Sequence, residues 1–363
     1  MDLQITSIVH QFLPDKTVAE LLPLGNGIIN DSYKIVADNE QYVLQRINHH
    51  IFKNVAQLQD NILRVTTHIC QKLIAKGISD VNRKVLNLLP TIDGAYFYKD
   101  EAGNYWRMMD YITDSYSYET VNEMSAYKAG IAFGDFQNML SDLPGEPLFE
   151  TIPDFHNIES RLDMFRETVK KNPSGRLAEV RDLVNEIESR AHEMCKVERL
   201  HREGKLPKRI NHCDTKVNNI LFDTEGNAMC VVDLDTVMPG YVLSDFGDFM
   251  RTAANNGDED DEHLDRVSIN LDIFKAYTEG YLKSADFLTP LEIELLPFGS
   301  KLLTYMQTVR FLADYIDGDN YYKIQFPKHN LQRSLAQFKL LLSMESNFEQ
   351  MQQIVQTTAA VKV

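Results

Sequence analysis

Asn211-His212-Cys213-Asp214-Thr215-Lys216-Val217-Asn218-Asn219 is followed, after a turn, by Val231-Val232-Asp233-Leu234-Asp235. These two segments decide how the chain is read. Asn219-Ile220-Leu221-Phe222 and residues 228–232 are short apolar runs, and Asp223-Thr224-Glu225-Gly226-Asn227 between them is a strong turn signal. Pairing the runs as a hairpin brings Asn219, at the start of one strand, toward Asp233, at the end of the other. An amide oxygen and a carboxylate so placed suit magnesium, a hard cation that prefers oxygen ligands and keeps several waters. Asp214 lies in the loop before the hairpin, where it can receive a hydroxyl proton. A base, an amide ligand and a second acidic ligand converging in one place are the parts that phosphoryl transfer requires. The spacing therefore predicts that residues 214, 219 and 233 gather round one cleft. Lys216 adds a cation near the transferred group, and His212 reads as a buttress of the loop. Asp233 and Asp235 share one side of an extended segment, and Asp233 has the better spacing for metal. A polar turn and a hairpin that merely carry acidic residues are the plain alternative, against which the joint spacing argues.

Composition fits this chemistry and excludes others. At 363 residues the chain can bury a large core and is long enough for two domains. With 44% hydrophobic and 25% charged residues it has the make-up of an ordinary globular protein. A net charge of −16 and the lack of any basic run argue against a nucleic-acid partner. Cys70, Cys195, Cys213 and Cys230 are scattered, which suggests neither a zinc knuckle nor a disulfide framework but reduced thiols in a cytoplasm. The opening Met-Asp-Leu-Gln-Ile-Thr lacks a basic region followed by an apolar stretch, and no run of about eighteen apolar residues occurs. The expectation is a cytoplasmic protein with no membrane partner; oligomeric state is left open.

The expected fold class is α+β, with a small β-rich N-terminal lobe and a larger, mainly helical C-terminal lobe. Residues 19–24 lead through Gly25-Asn26-Gly27 to a β-rich run at 28–36, which turns at Ala37-Asp38-Asn39-Glu40 into 42–47. Val55, Leu58, Ile62, Val65, Ile69 and Leu73 recur at three- and four-residue steps and predict a helix over 54–76. Strands are predicted at 85–89, 95–99 and 105–111. Beyond Ile112 the pattern is helical at 123–140, 176–200, 264–283, 290–312 and 331–344, interrupted by the hairpin. Gly257-Asp258-Glu259-Asp260-Asp261-Glu262 lacks the spaced ligands of a calcium loop and reads as a solvated loop. The domain division expected is 1–112, a nucleotide-binding lobe, and 113–363, carrying the catalytic loop and acceptor site.

His212-x-Asp214-x-x-x-x-Asn219 with Val232-Asp233-x-Asp235 resembles the signature of the aminoglycoside phosphotransferase and choline kinase group, small-molecule relatives of protein kinases. The likeness spans nearly the whole chain. Asn211 to Asn219, Asp233-Leu234-Asp235-Thr236-Val237-Met238-Pro239-Gly240, the stretch from Gly25 to Tyr33, and Val43-Leu44-Gln45-Arg46-Ile47-Asn48 are closer still to the N-acetylhexosamine 1-kinases of that group. The resemblance implies a bilobal kinase-like fold, ATP and Mg2+, Asp214 as base, Asn219 and Asp233 on the metal, and the anomeric hydroxyl of GlcNAc or GalNAc as acceptor. In that setting the amides of Gly25 and Gly27 and the Asn30 side chain face the phosphates. The Asp110 carbonyl and Ile112 amide, in Met108-Met109-Asp110-Tyr111-Ile112, form a hinge for adenine. Gln45 departs from the group, standing where a phosphate-binding lysine is usual. Arg46, Lys34 or another cation must then neutralise the phosphates; for Arg46, strand alternation requires a bulge. The glutamate expected on the following helix has only Asp60 or Asn61 in its place. Arg310 and Tyr321 resemble acceptor-contacting positions, and Asp235 can bond a sugar hydroxyl instead of metal. Asp245, in Ser244-Asp245-Phe246-Gly247, lies too far past the hairpin for a metal triplet and is expected to brace the catalytic loop. Two other functions stay open: a kinase of this fold for choline, homoserine or aminoglycoside acceptors, and a non-catalytic nucleotide-binding protein.

Overall fold

The computed structural model describes residues 3–25 and 29–361. In chain order its elements are α1 (Leu3–Phe12), β1 (Val18–Pro23), β2 (Asp31–Ala37), β3 (Glu40–Ile47), α2 (Val55–Ala75), β4 (Leu88–Leu89), β5 (Tyr98–Lys99), β6 (Tyr105–Asp110), α3 (Glu123–Leu140), α4 (Ile158–Lys171), α5 (Arg181–Met194) and α6 (Lys196–Arg202). Then come β7 (Arg209–Asn211), β8 (Ile220–Phe222), β9 (Ala228–Val231), β10 (Met238–Gly240), α7 (Val242–Ala253), α8 (Leu271–Ser284), α9 (Pro290–Asp317), α10 (His329–Ser346) and α11 (Phe348–Val361). The class is α+β, sheet first and helices after. Two compact units form: Met1–Ser117 with Asp142–Ile152 and Ile220–Met238, and Tyr118–Ser141 with Pro153–Asn219 and Pro239–Val363. Two later segments thus join the N-terminal one, where the sequence reading drew a single boundary at residue 112.

In the first unit the sheet order is β1-β2-β3-β6-β4, with β5 also on β6. Ala37 pairs with Glu40 across Asp38 and Asn39, whose φ values of 48° and 68° make the tight left-handed turn that joins twisted strands. Alternation puts Leu44 and Met108 on a face that packs with Ile8, Val9 and Phe12 of α1. The predicted stripe of α2 is buried, and Asn54 caps the helix by accepting the Gln57 N–H at 3.2 Å. Full burial of a side chain such as Leu58 or Val65 contributes about 1.5–3 kcal/mol. Asn61, wholly buried, donates to Val237 O at 3.1 Å and Phe149 O at 2.8 Å and accepts from Phe149 N at 3.0 Å. One amide on α2 therefore ties down both later segments of the unit.

The hairpin forms as expected, Ile220 opposite Val231 and Leu221 opposite Cys230. Met229 and Cys230 pack with Ile112, Leu86, Leu221 and Val232, which seats the hairpin against the 105–112 segment. The strands predicted at 85–89 and 95–99 shrink to two residues each, because only Leu88–Leu89 and Tyr98–Lys99 find partners on β6.

Close helix contacts organise the second unit. A Cβ on Gly280 of α8 would lie 2.0 Å from Tyr127 O of α3, and one on Gly247 of α7 2.2 Å from Gly299 O of α9. Only glycine admits such an approach of backbones. The helix predicted over 176–200 is broken into a 3₁₀ turn, α5 and α6, because Cys195 leaves helical geometry at ψ 6° while the apolar stripe continues. Helix 264–283 starts later, at Leu271, where the Asn270 side chain accepts the Asp272 and Ile273 N–H groups.

Candidate active site

In the second unit the loop at 211–219 is built around one buried carboxylate. Asp245, on α7 and fully buried, accepts His212 N at 2.7 Å and Cys213 N at 2.8 Å, and its Oδ2 also takes Gln137 Nε2 at 2.7 Å. The Thr215 hydroxyl donates to Asp245 O at 2.6 Å, and Thr215 N donates to Asp248 Oδ2 at 3.1 Å. These bonds hold Cys213 at φ 64°, a strained conformation for a side chain other than Asn, Asp or Gly. Asp245 thus braces the loop, as expected. Burial pushes its pKa up to about 6, against the pull of His212 and the two backbone donors. The His212 ring lies edge-on to Phe133 and Phe136, and its Nδ1 accepts Asp214 N at 3.3 Å, contacts that suit a buttress of the loop.

The loop so shaped presents Asp214, Lys216 and Asn219 together. Lys216 Nζ lies 3.2 Å from Asp214 Oδ1, and the Asp214 charge raises the lysine pKa. Asn219 Nδ2 bonds Asp214 O at 2.8 Å and Oδ2 at 3.2 Å, leaving its carbonyl Oδ1 as the oxygen it can offer a cation. Asp248 is held ionised: burial opposes this, but Arg251, at 2.9 Å, and Lys216 outweigh it.

A second cluster lies farther along the same unit. Asp314 of α9 accepts the N–H groups of Asn320, Tyr321 and Tyr322 at 2.9, 2.8 and 2.9 Å, which fixes the loop that carries Tyr321, itself 64% exposed. Arg310 lies over Phe155 and Tyr322, with ring centroids at 5.2 and 5.6 Å, and donates to Gln307 at 3.2 Å. Arg161 donates to Phe155 O at 3.0 Å; burial and the nearby Arg310 bring its pKa down to about 10. Neither arginine forms an ion pair among the described residues. His156, stacked on Phe155, has Nδ1 sealed from solvent and unbonded, and burial holds it neutral against the pull of Asp248, its pKa down to about 3. The structure thus brings Arg310 and Tyr321 into one aromatic patch, joined through Tyr322.

In the first unit Asp233 is exposed at the end of the hairpin, in left-handed backbone at φ 59°, ψ 56°. Asp235, two residues on, is buried, paired with Arg107 and bonded by Asn30 Nδ2 at 2.6 Å. Both its carboxylate oxygens are therefore engaged. The β2–β3 and β3–β6 ladders run without a bulge, so Arg46 faces away from Gln45 and pairs with Asp31. On the Gln45 side of the sheet lie Arg107, the cross-strand partner bonded to Gln45 Oε1 at 2.9 Å, and Lys34, opposite Val43. Lys34 lies over the Tyr111 ring at 4.4 Å. Asn30 Oδ1 accepts Asn48 N at 2.9 Å, Gly25 has φ 68°, and Gly27 lies outside the described residues. The Asp110 side chain accepts from Asn87 at 2.7 Å, leaving the edge of the 110–112 segment to its backbone, and Ile112 is buried on the hairpin.

Residues 20–282 match the model of the APH phosphotransferase enzyme family. The chain belongs to that family. As an APH phosphotransferase it acts on a small molecule and transfers to a hydroxyl acceptor. Its fold is protein-kinase-like and similar to that of a microcompartment-associated aminopropanol kinase, at TM-score 0.56 and 13% identity over 95% of this chain and 98% of the other. It also resembles a spectinomycin phosphotransferase in complex with ADP and spectinomycin, at 0.55 and 13% over 96% and 98%. A Plasmodium vivax ethanolamine kinase matches at 0.55 and 16% over 88% and 82%. Among the described residues of this phosphotransferase no helix is long and apolar enough to cross a membrane.

Four residues escape sequence reasoning: Arg107 in the first unit, and Arg161, His156 and Asp314 in the second. Each stands in an unremarkable context, and only the signature of unpaired or buried charge, visible once folded, singles it out.

Proposed function

We propose that the protein transfers the γ-phosphoryl group of ATP to the anomeric hydroxyl of an N-acetylhexosamine, GlcNAc or GalNAc, giving the sugar 1-phosphate. Asp214 is the base that takes the hydroxyl proton, held in aim by the Asn219 amide and by the loop braced on Asp245. Lys216 lies beside it to offset charge on the group in flight. The Asn219 amide oxygen and the Asp233 carboxylate would hold Mg2+, which oxygen donors suit, and the ion would neutralise phosphate charge. Gly25, Gly27 and Asn30 serve the phosphates, and the Asp110 carbonyl and Ile112 amide the adenine.

The observation that supports the acceptor assignment is the pair of guanidiniums, Arg161 and Arg310, set among Phe155, Tyr321 and Tyr322 with no ion pair of their own among the described residues. Guanidiniums offer hydrogen-bond donors and no acceptor, which disfavours an ammonium group beside them. Such a surface suits a neutral ring whose hydroxyl and acetamido oxygens accept hydrogen bonds and whose apolar face lies on an aromatic. Aminopropanol, ethanolamine and spectinomycin, named for the similar structures, are amines and define the competing reading. Acceptor-dependent ADP release from magnesium-ATP tests the choice. N-acetylhexosamines are expected to turn over, and Asp214→Asn to abolish the signal. Turnover of amino alcohols or aminoglycosides with none of any hexosamine overturns the assignment.

A further inference from the structure

Arg107 lies buried on β6, its side chain 3% exposed, in an ion pair with the equally buried Asp235. Its Nε donates to Gln45 Oε1 at 2.9 Å, and Gln45 Nε2 donates to Ser32 Oγ at 2.9 Å. On the far side, Asp235 takes Asn30 Nδ2 at 2.6 Å, and its backbone oxygen takes the Thr151 hydroxyl at 3.0 Å. A polar chain from β2 through β3 and β6 therefore ends on the short 3₁₀ turn Leu234–Thr236, directly after Asp233. Burying two charges costs about as much as their attraction returns, and well-packed apolar residues often serve stability equally well. What an apolar pair does not supply is a fixed position for that turn. Asp233 needs one, because its left-handed backbone has to be held in place by the turn on its C-terminal side.

We propose that Arg107 is a positioning residue for the metal carboxylate of Asp233, acting through Asp235. The side chain at the usual lysine position, Gln45, becomes a strut for this arginine. The inference rests on the proposed function, in which Asp233 holds a divalent cation.

The test is binding of Mn2+ to the full chain with ADP present, followed by electron paramagnetic resonance of the free ion, alongside ADP binding without metal. Supporting groups around a metal ligand typically control affinity by about 10- to 100-fold. Arg107→Lys, which keeps the charge but loses the fork that bridges Gln45 and Asp235, is expected to raise half-saturating Mn2+ at least about tenfold. ADP affinity without metal should not change. Arg107→Met/Asp235→Asn, which leaves no unpaired buried charge, should show the same loss of Mn2+ affinity in a chain that still melts cooperatively. Wild-type Mn2+ affinity in both variants, with or without a lowered melting temperature, overturns the proposal. A wild-type chain that binds ADP with no metal dependence removes the metal role of Asp233 itself, and the proposal with it.

Discussion

Replacing Asp245 by Asn separates the stability of the fold from the geometry of the catalytic loop. The carboxylate accepts three N–H groups, two on Oδ2 and one on Oδ1. An asparagine offers one oxygen, so its NH2 meets at least one donor head-on in a site closed to water. A buried donor without a partner costs about 1–3 kcal/mol. Against this, burial raises the Asp245 pKa from 3.8 to about 6, so a neutral amide relieves on the order of 3 kcal/mol at neutral pH. The two nearly offset, and denaturant unfolding is expected to change by less than about 2 kcal/mol. The rate has no such compensation. Cys213, at φ 64°, loses the acceptor that holds it, and displacing Asp214 by about 1 Å costs about 100-fold in kcat.

The pH dependence carries opposite signs for the two quantities. The folded carboxyl binds its proton more tightly than the unfolded one, so its contribution to stability is full below pH 3.8 and is lost as pH rises through about 6. Activity runs the other way, because a protonated Asp245 must place a hydrogen on an oxygen that already accepts an N–H. Wild-type kcat should therefore fall as pH drops through about 6, with no matching fall in stability from this group, and Asp245→Asn should lack that acid limb. A variant with wild-type kcat, or with an unaltered acid limb, refutes the bracing role.

Gly247→Ala puts a Cβ 2.2 Å from Gly299 O; it should destabilise the chain by about 1–3 kcal/mol in chemical denaturation, and an unchanged midpoint would contradict the close α7–α9 contact. Arg310→Met should raise the acceptor KM by about 10- to 100-fold, the worth of a charge-assisted hydrogen bond, with the ATP KM unchanged. An effect on ATP alone would move Arg310 out of the acceptor site. Lys216→Met should depress kcat more than either KM, and steady-state kinetics that show a rise in KM only would assign the lysine to binding.

Much of this was legible in the residues because local signals agreed with the final packing. The turn at Asp223 to Asn227 and the stripe of α2 each follow from residue type and spacing alone. Helix α7 was not, because Asp245, Asp248 and Arg251 are buried polar residues that blur its apolar face. Strands β4 and β5 were overdrawn, since a strand's length is set by its partner and not by its own composition. Arg107 stood among Trp106, Met108 and Met109 as an ordinary charge on a strand. Its meaning came from register, which sets it across from Gln45, and from a turn more than a hundred residues away in sequence.

Phosphorus NMR of the product formed from magnesium-ATP and a free N-acetylhexosamine tests the central claim most directly. A sugar 1-phosphate signal, coupled to the anomeric proton and missing with Asp214→Asn, is the predicted spectrum. Phosphate on another hydroxyl, or none on the sugar while an amine acceptor is phosphorylated, would contradict it.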